Sequence, residues 1–195
     1  MDLSNNMLSG EIPGTFSELK NLTLLNLFRN KLHGAISDFI GDFPDLEVLQ
    51  LWENNFTESI PQGLGKNGRL QFLYLSSNKL TGNLLPDLCF GNRLQTLIAL
   101  GNFLFGPIPE SLERCESLSR IWMGENFLNG ARPKGLFGLP MLVQVELQGN
   151  YLVGGFPEID SVAENLGQIS LSNNQLMGSL PRSIVNFSGV QKAPP

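Results

Sequence analysis

Apolar and polar positions recur along this chain at one fixed spacing. An asparagine anchors each period, and eight follow without a break: Asn6, Asn30, Asn54, Asn78, Asn102, Asn126, Asn150 and Asn174. An apolar pair stands five and three residues before each asparagine, as in Leu49 and Leu51. Leu or Phe follows two residues later, and Gly four residues later in seven of the eight periods. Such regularity predicts a repeat protein built from one recurring unit.

The apolar pair flanks one variable residue, so it predicts a short strand with one buried face. A single unit cannot bury that face, and we expect the strands to stack in parallel into a solenoid. The asparagine side chain both donates and accepts hydrogen bonds, so a buried column from Asn30 to Asn150 can satisfy the backbone where the chain turns. The Gly permits a tight bend, and the Pro of a recurring Ile-Pro pair holds the return segment extended.

The predicted fold class is therefore an α/β-type repeat solenoid. We expect a right-handed twist, one parallel β-sheet on the concave face and 3₁₀ turns on the convex side. Eight such units cover nearly all of the 195 residues, so residues 1–195 are predicted to form one domain. Neither end departs from the repeat pattern, so the domain is expected to be uncapped at both ends.

Charge, hydropathy and motif content argue against several classes of function. The net charge of −5 is spread along the chain, which argues against a nucleic-acid partner. No run of apolar residues approaches the length of a membrane span, and no charged-then-apolar leader opens the chain, so neither membrane insertion nor a secretory signal is predicted. The single histidine, His33, leaves no triad or metal cluster, and no cofactor is expected. A G-x-G-x-x-G match at Gly63–Gly68 lies on a return segment after Pro61, outside the strand-to-helix context that phosphate binding needs.

The unit L-x-x-L-x-L-x-x-N-x-L is similar to the leucine-rich repeat, and the following G-x-I-P is similar to its plant-specific subclass. The chain resembles the extracellular part of plant leucine-rich repeat receptor kinases, and most of all the CLAVATA-type receptors called "barely any meristem". The stretches that carry the resemblance are Asn21–Gly34, Leu46–Thr57, Gly101–Gly106, Met123–Gly130, Lys134–Pro140 and Asn165–Leu176.

The resemblance implies a cell-surface receptor that binds a short secreted CLE-type peptide along its inner face. It also implies a leucine-rich repeat co-receptor as a further candidate partner, and a position on the extracellular face of the plasma membrane in full-length relatives. A membrane span and a kinase follow the ectodomain in that family; neither is in this sequence, so no enzyme activity is expected of the chain. We interpret it as a segment of a longer ectodomain or a truncated copy.

Two alternatives stay open. One is an inhibitor of a secreted enzyme, like the polygalacturonase inhibitors that share this repeat, and the other is a non-functional truncated receptor fragment. An inhibitor is expected to be complete, with caps and a signal peptide, and the ends of this sequence favour the receptor interpretation.

Positions six, four and two residues before each asparagine are predicted to point out of the concave face. Both tryptophans and one of the two tyrosines fall there, and aromatic anchors are typical of binding surfaces. The plainer explanation is that aromatic side chains suit strand surfaces. The candidate peptide-binding residues are Phe28, Trp52, Phe72, Tyr74, Ile98, Arg120, Trp122, Gln144 and Glu146.

Three substitutions depart from the pattern. Receptors of this type hold the peptide carboxylate with an Arg-x-Arg pair, whereas the matching positions here are Arg120 and Trp122, and tryptophan supplies one neutral donor. Arg132 occupies a slot that is apolar in the other repeats, where it must reach solvent or destabilise the fold. Glu58 replaces the turn Gly.

Cys89 and Cys115 are separated in sequence by one repeat plus two residues. Stacked strands about 4.8 Å apart and a tight return place them roughly 6 Å apart, which permits a disulfide; two buried thiols are the alternative. Similar receptors carry cysteines at these places, and a disulfide is favoured. Glycosylation sequons begin at Asn21, Asn55 and Asn186, although an asparagine-rich chain produces some by chance.

Overall fold

The computed structural model describes residues 1–156, 165–180 and 182. Seven three-residue strands form a parallel sheet, here called the concave sheet: Leu24–Asn26, Val48–Gln50, Phe72–Tyr74, Thr96–Ile98, Arg120–Trp122, Gln144–Glu146 and Gln168–Ser170. A parallel bridge from Asp2 to Asn26 continues its pairing into the first repeat. Six of the seven strands bury their central residue, as at Leu49 and Leu73, because neighbouring repeats stack their apolar faces into one continuous core.

The returns contain 3₁₀ helices rather than longer helices. Those in the described residues are Gly14–Glu18, Asp38–Ile40, Glu110–Arg114 and Leu136–Gly138. Pro13 and Pro109 stand directly before two of them, each with the φ near −60° that proline fixes. The prediction of a parallel solenoid with 3₁₀ turns is confirmed.

A second set of parallel strands, the lateral sheets, follows the turn asparagines, and the sequence pattern did not predict it. Three strands form one sheet: Ser9–Gly10, Lys31–Ala35 and Asn55–Thr57. Four form another: Phe105–Pro107, Phe127–Ala131, Tyr151–Gly154 and Gln175–Leu176. These segments are short and lie close to the turn Gly position, so their pairing arises from repeat stacking rather than from local alternation.

The asparagines form the predicted hydrogen-bonded column. Asn78 Nδ2 donates to the carbonyl oxygens of Leu51 and Leu75 at 3.0 and 3.1 Å, and its Oδ1 accepts the Phe56 amide at 3.0 Å. The same set of bonds recurs from Asn54 to Asn174. In each set the Oδ1 bond and one of the Nδ2 bonds tie a repeat to the repeat before it. Asn78, Asn102, Asn126 and Asn150 are buried, whereas Asn30 and Asn54 are only half-buried. Full burial was therefore wrongly predicted for those two. Asn30 bonds to Leu3 and Leu8 of the first repeat, whose exposed side chains cover it less completely.

Two backbone positions in every repeat adopt the left-handed conformation. One is the residue before each asparagine; the other is the turn position four residues after it. Gly occupies the second position except at Glu58, whose φ is 63°. A side chain there costs about 1–2 kcal/mol relative to a relaxed backbone.

Of the two outcomes expected for Arg132, reaching solvent or destabilising the fold, its burial excludes the first. Its side chain is buried, its Nη2 donates to the Gly155 carbonyl, and its guanidinium lies 5.5 and 5.6 Å from the ring centroids of Phe137 and Phe156. Burial lowers the pKa of the guanidinium from its usual value. Two aromatic rings and one carbonyl therefore replace only part of the water that a surface arginine would have, because the buried Nε has no partner among the described residues.

Cys89 and Cys115 are joined as a disulfide with their Cα atoms 5.9 Å apart. The bond ties the returns of two neighbouring repeats together. Asn21 and Asn55 are exposed, as an accessible sequon requires, and Asn186 lies outside the described residues. Within those residues there is no helix with the length and hydropathy to span a membrane.

Candidate functional site

Strand pairing places the candidate residues in straight columns across the concave sheet. One column runs through Phe72, Thr96, Arg120 and Gln144, and the next through Tyr74, Ile98, Trp122 and Glu146. Register is fixed because a slip of one residue would turn every buried leucine outward. Side chains that stand one full repeat apart in sequence therefore become direct neighbours.

A groove of about 530 Å³ lies along this face. Its lining residues are Phe28, Gln50, Trp52, Glu53, Tyr74, Ser76, Ser77, Ile98, Leu100 and Trp122. Five of the nine candidate residues line it. Phe72, Arg120, Gln144 and Glu146 lie on the same sheet beside it, so the candidate site divides into an apolar groove and a polar end.

The aromatic side chains in and beside the groove are less exposed to solvent than the sequence suggested. Phe28 stacks on Trp52 with ring centroids 4.4 Å apart, and Phe72 lies parallel to Tyr74 at 6.5 Å. All six apolar candidates, including Ile98 and Trp122, are half-buried rather than exposed. The rings shield one another, so the walls of the groove are held in place before any ligand arrives.

The lining of the groove includes one charged residue that the sequence pattern did not predict. Glu53 lines the groove, and its carboxylate accepts from Arg29 Nε at 3.1 Å. Both side chains are partly exposed, so this ion pair adds little to stability. Glu53 stands one residue before its asparagine, outside the alternating positions used to predict the face, and its backbone is left-handed with a φ of 51°.

The polar end contains a hydrogen-bonded cluster. Gln144 Nε2 donates to Glu146 Oε1 at 2.7 Å and to Gln168 Oε1 at 3.1 Å. Arg120 is exposed beside this cluster, and within the described residues it forms no ion pair. This end therefore offers an exposed cation next to a hydrogen-bonded carboxylate.

Trp122 and Gln148, on the same face of the sheet, each bury one polar side-chain atom. Trp122 Nε1 and Gln148 Oε1 are buried and have no partner among the described residues. Gln148 lies over Gly124, where an added Cβ would approach the Gln148 amide carbon to 2.7 Å. The absence of a side chain at Gly124 thus leaves room for Gln148. The sequence pattern did not predict this contact.

The repeat itself is shared with a known family. The family model described as Leucine Rich Repeat matches residues 1–19, 45–67, 69–90 and 165–187. The fold is a leucine-rich repeat superhelix. No curated protein sequence matches the chain at a significant level.

Solved plant receptor ectodomains share this leucine-rich repeat fold along nearly the whole chain. A TDR receptor is 43% identical with a TM-score of 0.91, over 94% of this chain and 32% of that one. The Arabidopsis receptor kinase HAESA, in complex with the peptide hormone IDA and the co-receptor SERK1, is 37% identical with a TM-score of 0.93, over 96% and 31%. GASSHO1/SCHENGEN3 from Arabidopsis thaliana, in complex with CASPARIAN STRIP INTEGRITY FACTOR 2, is 37% identical with a TM-score of 0.92, over 96% and 23%. The chain spans about a third or less of the length of these ectodomain structures.

Proposed function

We propose that this chain is a peptide-recognition segment of a cell-surface leucine-rich repeat receptor kinase and binds a secreted CLE-type peptide. The observation that carries the proposal is the preformed aromatic groove on the concave sheet. An extended peptide laid along the groove can bury alternate side chains against Trp52, Tyr74 and Ile98. Pre-stacked rings lose little side-chain entropy on binding, which favours affinity.

The polar end suits the peptide terminus. Arg120 can donate to a C-terminal carboxylate, while Glu146 can accept from a backbone or side-chain N–H. Trp122 stands where the CLAVATA-type receptors place a second arginine, so one charge-assisted contact is missing. Each such contact contributes about 1.5–3 kcal/mol, which corresponds to a roughly 10- to 150-fold weaker complex.

The proposal includes a location and a second partner. Structures of similar proteins contain peptide hormones, and that of HAESA also contains the co-receptor SERK1. By analogy we place this segment in an ectodomain on the extracellular face of the plasma membrane, with a leucine-rich repeat co-receptor as an additional partner. Its part in signalling is binding, and any kinase activity belongs to another domain.

Calorimetry on the Trp122→Arg variant tests the proposal. We expect the variant to bind a synthetic CLE-type peptide with a free C-terminus about tenfold or more tightly than the parent chain does. A peptide with an amidated C-terminus is the matched control and should gain little, because it has no carboxylate for the new guanidinium. Equal gains for both peptides, or no gain for the free acid, would show that Trp122 does not lie at a carboxylate clamp. Absence of binding by both chains would contradict the proposal itself.

A further inference from the structure

Three aromatic rings form a row on the lateral side, away from the groove. Phe103, Phe127 and Tyr151 each follow a turn asparagine by one residue in three successive repeats. Neighbouring rings are parallel within 11° and 12°, with centroids 6.0 Å apart. These three residues are 46%, 43% and 49% exposed, more than any aromatic residue of the groove. We call this the lateral aromatic row, and an exposed apolar surface of this kind marks a contact site.

The surface beside the row combines flat apolar rings with polar groups. A shallow cavity of about 500 Å³ is lined by all three rings together with Glu125, Asn173 and the asparagine column. The Glu125 carboxylate lies over Gly149, where an added Cβ would come within 2.6 Å of its Oε1. Within the described residues Glu125 forms no ion pair. A pyranose sugar matches this arrangement, because its C–H face can cover a ring while its hydroxyls donate to a carboxylate or an amide oxygen.

The chain itself has a place where such sugars can be attached. Asn55 begins the sequon Asn55-Phe56-Thr57, is exposed, and follows its turn asparagine by one residue, so it shares the column of the row. Lys79 is the one position between Asn55 and Phe103 in this column. At 6.0 Å per repeat the separation is roughly 12 Å, within the reach of two linked sugars beyond the asparagine side chain. Asn21, the other described sequon, precedes the concave strand of its repeat, whereas Asn55 follows one.

We propose that an N-linked glycan on Asn55 lies along the lateral side and packs its core sugars on Phe103 and the lateral aromatic row. In the attachment step Asn55 Nδ2 loses a proton and bonds to the anomeric carbon of a lipid-linked oligosaccharide, and the lipid diphosphate leaves. Because the glycan is tethered to the same chain, its effective concentration at the row is high even if each sugar contact is weak. The packed sugars shield rings that otherwise face water. This proposal rests on the extracellular location proposed above and not on the peptide ligand.

Nuclear magnetic resonance on the glycoprotein secreted from eukaryotic cells tests this contact. Glycopeptide mass spectrometry first establishes that Asn55 is occupied. We expect upfield ring-current shifts of core-sugar protons, and nuclear Overhauser contacts between those protons and the Phe103 ring. The Asn21 glycan in the same molecule is the internal control and should show neither. Phe103→Ser should abolish the shifts, while Phe90→Ser, which removes an exposed ring outside the row, should leave them unchanged.

Sequon removal provides a second readout. Thr57→Ala eliminates the Asn55 site and should raise the binding of a dye specific for exposed apolar surface, whereas Thr23→Ala, which eliminates the Asn21 site, should not. An unoccupied Asn55, a glycan insensitive to Phe103→Ser, or equal dye binding by the two sequon variants would overturn the proposal. So would a dimer that dissociates on Phe103→Ser, because the row would then be covered by a second copy of the chain.

Discussion

The concave and lateral sides of the solenoid both carry aromatic rows, yet the rings are placed differently. In the groove, Phe28 and Trp52 lie 4.4 Å apart and are half-buried, whereas Phe103 and Phe127 lie 6.0 Å apart and nearly half of each side chain is exposed. Rings of the first kind form the walls of a recess; rings of the second kind form a flat surface. Exposure and spacing, rather than the number of aromatics, therefore distinguish the proposed peptide groove from the proposed platform for sugars.

The two sides also differ in how far they depart from the repeat pattern. Variation on the concave side falls at solvent-facing strand positions, where the backbone accepts any side chain. On the lateral side Glu58 and Arg132 directly follow lateral strands, at positions where the other repeats carry a Gly or an apolar residue. Each imposes a conformational or solvation cost, so we expect substitutions at Glu58 and Arg132 to change stability and substitutions in the groove to change binding.

Peptide affinity should separate the two sides most clearly. Trp52→Ala removes a half-buried ring that stacks on Phe28 and lines the groove, and we expect affinity for a CLE-type peptide to fall by about 2 kcal/mol, roughly 30-fold. Phe127→Ala removes an aromatic ring from the lateral side and should change affinity less than about twofold. Isothermal titration calorimetry on both variants measures the contrast, and similar losses for both would mean that the sides are not functionally distinct.

A smaller effect is expected at Arg132, where an apolar residue should stabilise the fold. Replacing the buried guanidinium with a leucine, as two other repeats carry in this slot, removes a desolvated charge, which outweighs two cation–π contacts by about 1–2 kcal/mol. Urea unfolding of Arg132→Leu, followed by far-UV circular dichroism, should show a higher midpoint at an unchanged slope. Arg114→Leu alters an exposed arginine and is the control. A lower midpoint for Arg132→Leu would show that the rings hold the cation more favourably than they would hold a leucine.

Of the substitutions at Trp52, Arg132 and Glu58, the one at Glu58 should change the measured free energy least. Glycine relieves the left-handed strain of about 1–2 kcal/mol but adds about 0.4–1 kcal/mol of backbone freedom to the unfolded chain, so Glu58→Gly should stabilise by about 0.5–1 kcal/mol. Glu58→Ala keeps a Cβ at this position and should give no such gain. Equal unfolding midpoints for these two variants would contradict the assignment of the strain to the Cβ.

Local spacing along the chain accounts for much of the fold. The repeat period set the strand positions, the asparagine column and the three columns of the concave face, because each depends only on which residues recur in register. The proximity of Cys89 and Cys115 follows from the same spacing. The hydrogen-bonding role of Asn78 could be assigned from its place in the repeat alone, because an amide at a recurrent chain reversal must both donate and accept.

The contacts between side chains of neighbouring repeats were decided only by the packing of the solenoid. Whether Trp52 is exposed depends on where Phe28 lies, and whether Gln148 fits depends on the missing side chain of Gly124. The lateral sheets and the exposure of Phe127 are likewise set by curvature and by packing between repeats, quantities that a one-dimensional period does not contain. Arg132 shows the same limit: its slot was evident from the sequence, but the rings of Phe137 and Phe156 that hold it inside were not, because they come together only when two repeats stack.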